Sequence, residues 1–564
     1  MAWYDEAVFY HIYPLGLTGA PKKNDYSEPV HRLNTLLPWI DYLKKLGFTA
    51  IYIGPLFESC GHGYETTDYK KLDSRLGTNE DLTAFVKACH EAGLKVIFDG
   101  VFNHTGRDFF AFKDIQENRE NSRYRDWYCN VNFWGNTEYN DGFSYDNWGG
   151  YNLLAKLNQR NPEVRDYIAD VIRFWVSEFD VDGIRLDAAD VLDFDFMKML
   201  RATADTVKPD FWLMGEVIHG DYSRWANSNT LHSVTNYSLH KALYSGHNDH
   251  NYFEIAHTIR YTGNMISSAI RLYNFVDNHD VERIYTKLNN KAHYLPVHVL
   301  LYTLPGIPSV YYGSEFGIEG KKERWSDDSL RPAIDLRDHL NDIKTNPCTM
   351  LIAALGKVRR DYAEELAYGD YRELVLTNRQ FAYGRGPLLI AVNNDEQPAD
   401  LSLKGAEGTY KGLLSGVVVK AENGNLPVHL DACGGEIFAP ANEAVKAKSA
   451  LKAKPVFTKP EKKEEAKPQE KPEKKEEVKQ KAKPAKQEAK VSAKAEVKKE
   501  KAPQKPVSPA EIPDIPYEQM TVEQLQAVIL AKMAKNGPVT DQMRKDVENN
   551  IWQNSLINWA KSFR

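Results

Sequence analysis

Residues 181–190 read VDGIRLDAAD. Val181, Asp182, Gly183 and Ile184 lead into Arg185, and Asp187 follows two places on, beyond Leu186. Side chains two apart on a strand share a face. This strand would therefore hold a guanidinium and a carboxylate together near its end. Charges are expensive to bury unless they are paired, so such a strand end implies a use for both groups.

Seven further β-rich runs flank it: VFYHIYP (8–14), TAIYIGP (49–55), KVIFDGV (95–101), FWLMGEV (211–217), HSVTNYSL (232–239), LYNFVDNHD (272–280) and IPSVYYGSE (307–315). Amphipathic segments separate several of them. LNTLLPWIDYLKKLG ends on Gly47, and NEDLTAFVKACHEAG opens at Asn79, a helix N-cap candidate, and closes on Gly93. Strand–helix alternation repeated eight times predicts parallel strands joined by helical crossovers. The fold class is α/β, with a (β/α)8 TIM barrel over residues 1–365. A doubly wound open sheet is the competing architecture. No GxGxxG follows the first strand, which weakens it.

After the third run, residues 103–158 are rich in aromatics and turns, and a helix is expected from Asn161-Pro162. So long an excursion inside a compact domain is usually functional, and it reads as an inserted subdomain. Residues 366–440 show short alternating strands, as in GPLLIAVNND, and predict a C-terminal antiparallel, sandwich-like β-domain. Residues 441–510 are Lys, Glu, Pro and Ala repeats with few large apolar side chains, the composition of a disordered linker. Residues 511–564 predict a helical hairpin module. Its first helix has a Thr521/Gln524 capping box and a Gly537-Pro538 stop. Trp552, Trp559, Ile551, Ile557 and Phe563 would be poorly buried in so small a unit. The module is expected to engage a protein partner, a second copy of the chain or a polysaccharide, with packing back on the catalytic body as the alternative.

The 564 residues carry a net charge of −6, but 446–505 holds 21 Lys and 10 Glu, so the rest of the chain carries −17. An acidic folded body is a poor match for nucleic acid. No apolar stretch approaches 18 residues, so no membrane span is expected. The first residues lack the charged and apolar regions of a secretory signal. Five scattered cysteines without CxxC pairs suggest reduced thiols and a cytoplasmic location.

Polar residues gather at the expected C-terminal strand ends: Asp99, Asn103 and His104 after the third, Arg185 and Asp187 on the fourth, Glu216 on the fifth, His279 and Asp280 after the seventh. The loop after the second strand adds His62, Tyr64 and Asp68. That is where barrel enzymes build their sites. Asp99 reads as structural, placed to bond neighbouring loops or the arginine. Three strand-end carboxylates beside an arginine are hard to explain structurally, because buried like charges repel. The histidines lack HxH or HExxH spacing, which argues against a catalytic metal.

In their order and spacing, DGVFNH, GIRLDAAD, GEV and FVDNHD resemble the four signature regions of the α-amylase family of glycoside hydrolases (family 13), over residues 1–440. FNHTGRDFFAF, SRYRDWY and YYGSEFGIEGKKE look like its cyclomaltodextrinase, neopullulanase and maltogenic amylase branch. Asp190 stands where many α-amylases carry a Lys-His pair. Members of the branch commonly have an N-terminal β-sandwich, whereas here the barrel pattern begins almost at Met1. The resemblance implies a retaining hydrolase of α-1,4-glucosidic bonds in maltodextrins, maltooligosaccharides or cyclodextrins. Transglycosylation or isomerisation, as in glucanotransferases or trehalose synthase, is the alternative on the same scaffold. It implies Asp187 as nucleophile, kept ionised by Arg185, Glu216 as acid/base with a raised pKa, and Asp280 as transition-state stabiliser. Tyr64, His104, Arg185 and His279 would bind the sugar. Trp127, Tyr128, Phe133 and Trp134 would either stack on further glucose units or form the subdomain core. No cofactor is required. A structural calcium stays open, since Asn103 matches a calcium ligand in some relatives.

Overall fold

The computed structural model describes residues 2–324, 326–441, 516–517, 520–536, 547 and 560. It divides into two compact units, Met1–Lys463 and Glu464–Arg564. The expected linker beyond residue 441 lies outside the described residues, as does nearly all of the segment expected to form the second hairpin helix, with Trp552, Trp559 and Phe563.

Eight parallel strands form one sheet in the first unit: β1 Phe9–Ile12, β2 Ala50–Ile53, β3 Lys95–Gly100, β4 Gly183–Leu186, β5 Trp212–Gly215, β6 Ser233–Val234, β7 Tyr273–Phe275 and β8 Ile307–Tyr311. Their spatial order, β6-β5-β4-β3-β2-β1-β8-β7, is sequential around a ring. A parallel bridge between Thr235 and Tyr273 closes it. This is the (β/α)8 barrel that the run pattern predicted. Phe9, Tyr52, Ile97, Trp212, Met214, Tyr273, Phe275 and Ile307 form a cluster of their own inside the ring. Phe9 stacks on Trp212 with centroids 5.1 Å apart. Residues of the opposite parity, among them Tyr10, Ile51, Phe98 and Ile184, belong to the larger core shared with the helices. Burial on both faces explains why these strands read as continuous apolar runs.

The helices cover the ring. Leu37–Leu46 ends at Gly47, whose φ of 88° is left-handed. A Cβ there would lie 2.6 Å from the Gly356 backbone, so glycine is required twice over. The helix Asn79–Glu91 is capped by Thr78, in a capping box with Asp81, one residue before the expected Asn79. Pro162–Phe179 starts as expected, with Asn161 Oδ1 accepting from the Glu163 amide.

The excursion after β3 contains the helix Phe110–Asn118 and a three-stranded sheet from His104–Thr105, Asn147–Trp148 and Tyr151–Lys156. Its centre is aromatic. Trp127 and Tyr128 are 5% and 3% exposed, whereas Trp134 is 99% exposed.

Beyond the barrel come β9 Tyr371–Leu376, β10 Gln380–Arg385, β11 Leu388–Asn393, β12 Ala399–Lys404, β13 Thr409–Gly412, β14 Val418–Lys420, β15 Asn425–Leu430 and β16 Gly435–Pro440. They make an antiparallel sheet in the order β9-β10-β11-β16-β13-β14 and a two-stranded sheet β12-β15, with an apolar core that includes Leu389, Leu403, Leu426 and Phe438. In the second unit the helix Val522–Asn536 carries the expected capping box: the Thr521 amide donates to Gln524 Oε1 at 2.8 Å, and the Gln524 amide donates to Thr521 Oγ1 at 3.3 Å. Among the described residues no helix is long and apolar enough to cross a membrane. All five cysteines are free thiols.

Candidate active site

Parallel register sets Asp99 of β3 opposite Arg185 of β4. Arg185 Nη1 donates to Asp99 Oδ1 and Oδ2 at 2.8 and 3.0 Å, and to Asp187 Oδ1 at 3.1 Å. Its Nη2 lies 2.9 Å from Glu216 Oε2, at the end of β5. One buried guanidinium thus holds carboxylates from three successive strand ends. Asp187 is followed by Ala188 in a left-handed conformation, φ 46°. That backbone is unusual for a residue with a side chain and is found where the surroundings enforce it. Here it turns the Ala188 amide onto Glu216 Oε2 at 3.1 Å. Tyr237 Oη donates to Glu216 Oε1 at 3.3 Å. Among the described residues no donor reaches Asp187 Oδ2.

After β7, Asp280 Oδ2 lies 3.0 Å from His279 Nε2, and its Oδ1 accepts from Arg331 Nη2 at 2.9 Å. The Asp280 amide donates to Asn278 Oδ1 at 2.8 Å, which fixes the turn after β7. Tyr64 Oη donates to Asp99 Oδ2 at 3.0 Å and meets His279 Nε2 at 2.5 Å. Tyr64, His279 and Tyr13 lie in near-parallel planes. Tyr52 Oη donates to Asp99 Oδ2 at 2.9 Å. The expected structural reading of Asp99 matches this position at the centre of the network. His104 joins the network through its Nε2, 3.2 Å from the Tyr64 carbonyl.

Four carboxylates, Asp99, Asp187, Glu216 and Asp280, therefore face two guanidiniums, Arg185 and Arg331. Burial drives Asp187 well above the usual carboxylate range, and Arg185 opposes this without cancelling it. That corrects the expectation that Arg185 keeps Asp187 low. The single positive charge is divided among three acids, and the contact to Asp187 is the long one. Asp280 behaves in the opposite way. Burial pushes it up, but His279, Arg331 and Arg185 together hold it well below the ordinary range. Burial takes His104 down to about 3, so it is a neutral imidazole.

Of the two remaining loop residues, Asp68 stands apart: it is exposed and accepts from the Lys70 amide at 2.8 Å. His62 is exposed and pairs with Glu65 at 3.3 Å, but it borders the network: its Nδ1 accepts from the Tyr64 amide at 3.4 Å, and its carbonyl accepts from Tyr13 Oη at 2.5 Å. Conversely, the sequence did not reveal Arg331, Tyr237, Tyr52 or Tyr13. Arg331 sits in SLRPAID, an irregular segment after β8. An arginine shortly after a barrel strand end was the available signal. Tyr237 was hidden because residues 232–239 read as one strand, whereas β6 ends at Val234 and Tyr237 opens a helix.

Asn103, on which calcium rested, is fully buried with both ends of its amide engaged. Oδ1 accepts from Gln159 Nε2 at 3.3 Å, and Nδ2 meets His104 Nδ1 at 3.2 Å. A hard cation asks for six or more oxygens. With Oδ1 committed to Gln159 and Nδ2 to His104, the Asn103 side chain is a poor fit to such an ion.

A (β/α)8 barrel with paired acids at successive strand ends is a scaffold on which glycoside hydrolases are built. The alpha-amylase catalytic domain family matches residues 32–347, and the chain belongs to that family. The chain is 32% identical over 433 residues to a cyclomaltodextrinase of Thermoanaerobacter pseudethanolicus, covering 72% of this chain and 73% of that one. It is 32% identical over 360 residues to neopullulanase 2 of Thermoactinomyces vulgaris, 59% of each. Among solved structures, a protein of Thermus thermophilus superposes with a TM-score of 0.68 at 27% identity, covering 78% of this chain and 100% of that chain. An Anoxybacillus alpha-amylase does so at 0.66 and 26%, with the same coverage. The protein is a retaining glycoside hydrolase of α-1,4-glucan bonds.

Proposed function

We propose that Asp187 is the nucleophile and Glu216 the acid/base in cleavage of maltodextrins, maltooligosaccharides or cyclodextrins. The observation that carries this is the Arg185 fork, which holds both carboxylates from one side and leaves one oxygen of each uncommitted to it. Asp187 Oδ2, without a donor among the described residues, would attack the anomeric carbon to form a glycosyl ester. Glu216 Oε2 is occupied by Arg185 and the Ala188 amide. Its Oε1, touched among the described residues only by Tyr237 Oη, would protonate the departing oxygen and later take the proton from water. The nucleophile must be ionised when it attacks, and Arg185 is the cation that opposes the effect of its burial.

Asp280, held ionised by His279 and Arg331, would grip sugar hydroxyls and favour the positively charged transition state. Tyr64, at 9% exposure, would stack on the sugar, with its hydroxyl kept by Asp99. His104 and His279 each have Nε2 engaged already. Donating to the sugar would mean exchanging the Tyr64 carbonyl or the Asp280 carboxylate for a hydroxyl. Arg185 serves the carboxylates rather than the sugar.

Maltotriose tests the reaction type. Glucose and maltose as sole products support hydrolysis. Oligomers longer than maltotriose would overturn it in favour of glucosyl transfer.

A further inference from the structure

Outside the carboxylate network, three side chains from distant parts of the chain meet where the barrel packs on the β-domain. His250 lies between the helices Tyr237–Asn248 and Tyr252–Met265, His293 directly precedes the helix Tyr294–Thr303, and Glu396 lies in the turn between β11 and β12. One ligand-capable atom of each falls within 4.8 Å of the other two.

Both imidazoles are oriented by one residue, Asn394. His293 Nε2 is 2.9 Å from the Asn394 carbonyl, and His250 Nδ1 is 3.2 Å from Asn394 Oδ1. Asn394 Nδ2 donates to the Gly246 carbonyl at 3.1 Å, which fixes which end of the amide is oxygen. Each ring therefore donates a proton to Asn394 and keeps a lone pair on its other nitrogen. For His250 that is Nε2, 3.4 Å from Glu396 Oε1. For His293 it is Nδ1, which has no hydrogen-bond partner among the described residues although the residue is 2% exposed. A simple His250–Glu396 ion pair accounts for two of the three groups. It leaves the buried His293 lone pair without a purpose.

An imidazole anchored through one nitrogen to a carbonyl, with the other lone pair free, is the arrangement that metal ligation uses. Ligand atoms about 2.1 Å from a tetrahedral zinc lie about 3.4 Å apart, the separation already present between His250 and Glu396. The Glu396 side chain is half-exposed and free to adjust. Arg379 Nη1 lies 3.6 Å from Glu396 Oε2, which leaves Oε1 for the metal. His250 also has a left-handed φ of 48°, a backbone held in an unusual conformation at this point.

We propose that His250, His293 and Glu396 form a three-ligand site for a divalent transition metal of the zinc type, tying the barrel to the β-domain. Two nitrogens and one carboxylate suit such an ion. Calcium and magnesium prefer oxygen-only sets.

The test is zinc titration of the untagged, chelator-stripped full chain by calorimetry, with thermal melts alongside. One zinc per chain should bind with a Kd of about 1 µM or tighter, and Tm should rise because the ion binds only the folded form. Calcium or magnesium at the same concentration should leave Tm unchanged. His250→Gln and Glu396→Gln, both at partly exposed side chains, should each weaken zinc at least about tenfold. Both should keep metal-free maltotriose hydrolysis at the wild-type rate. No zinc binding by the stripped wild type, or equal affinity in wild type and both variants, would overturn the proposal.

Discussion

Arg185 reaches Asp99, Asp187 and Glu216 with two nitrogens, and this sharing sets the character of each acid. Half of it was legible in VDGIRLDAAD, because a period of two forces Arg185 and Asp187 onto one face. The other half was not, because burial and the division of one charge among three acids exist only in the folded molecule. Arg331 was illegible for a related reason. It comes from an irregular segment, with no periodicity to say where it points. The Glu216 assignment yields a prediction at this scale. Glu216→Gln should lower turnover of maltodextrins by about 10²–10⁴-fold, the usual worth of a general acid. Its first step on activated aryl maltosides should be largely spared, since such a leaving group needs little protonation. Rapid-quench measurement of both substrates checks this; equal losses on the two would move the acid role to another residue.

The barrel strands were legible because parallel strands buried on both faces must be apolar throughout. The boundary of β6 was not. In HSVTNYSL, Asn236 accepts from the Leu239 amide at 3.1 Å and starts a helix, so what reads as one run is a short strand and a cap. The aromatics of the excursion could not be sorted from sequence either: Trp127 and Tyr128 are core, and Trp134 is surface. The short helix Ser314–Phe316 after β8 carries an electrostatic prediction. Its Glu315 is fully buried, accepts from Tyr10 Oη at 2.5 Å, and has no hydrogen-bond partner at Oε2 among the described residues. Burial pushes its carboxyl from 4.5 up to about 7. The folded state therefore holds this proton more tightly than the unfolded chain, and its contribution to stability is complete below 4.5 and lost as pH rises through about 7. Glu315→Gln, which cannot ionise, should gain on wild type across that window by roughly 2–3 kcal/mol. Denaturant melts at pH 4.5 and 8 measure the difference, and a pH-independent gap would show that Glu315 does not titrate there.

At the scale of the molecule, all the site residues and every strand of the barrel and β-domain precede residue 442. Cutting the chain after residue 445 should therefore leave the rate of maltotriose hydrolysis unchanged, and a loss beyond about tenfold would make the tail part of the catalytic body. The same cut should alter oligomeric state or retention on starch, as expected of a tethered second binding module. The central claim is that Asp187 forms a covalent bond to the sugar, and trapping that bond tests it most directly. The protein is incubated with a 5-fluoro-α-glucosyl fluoride, whose second fluorine slows hydrolysis of the ester, then digested with pepsin and mapped by mass spectrometry. The account predicts one fluoroglucosyl adduct, on the peptide containing Asp187, and none in Asp187→Asn. An adduct on Glu216 or Asp280, or one that persists in Asp187→Asn, would contradict it.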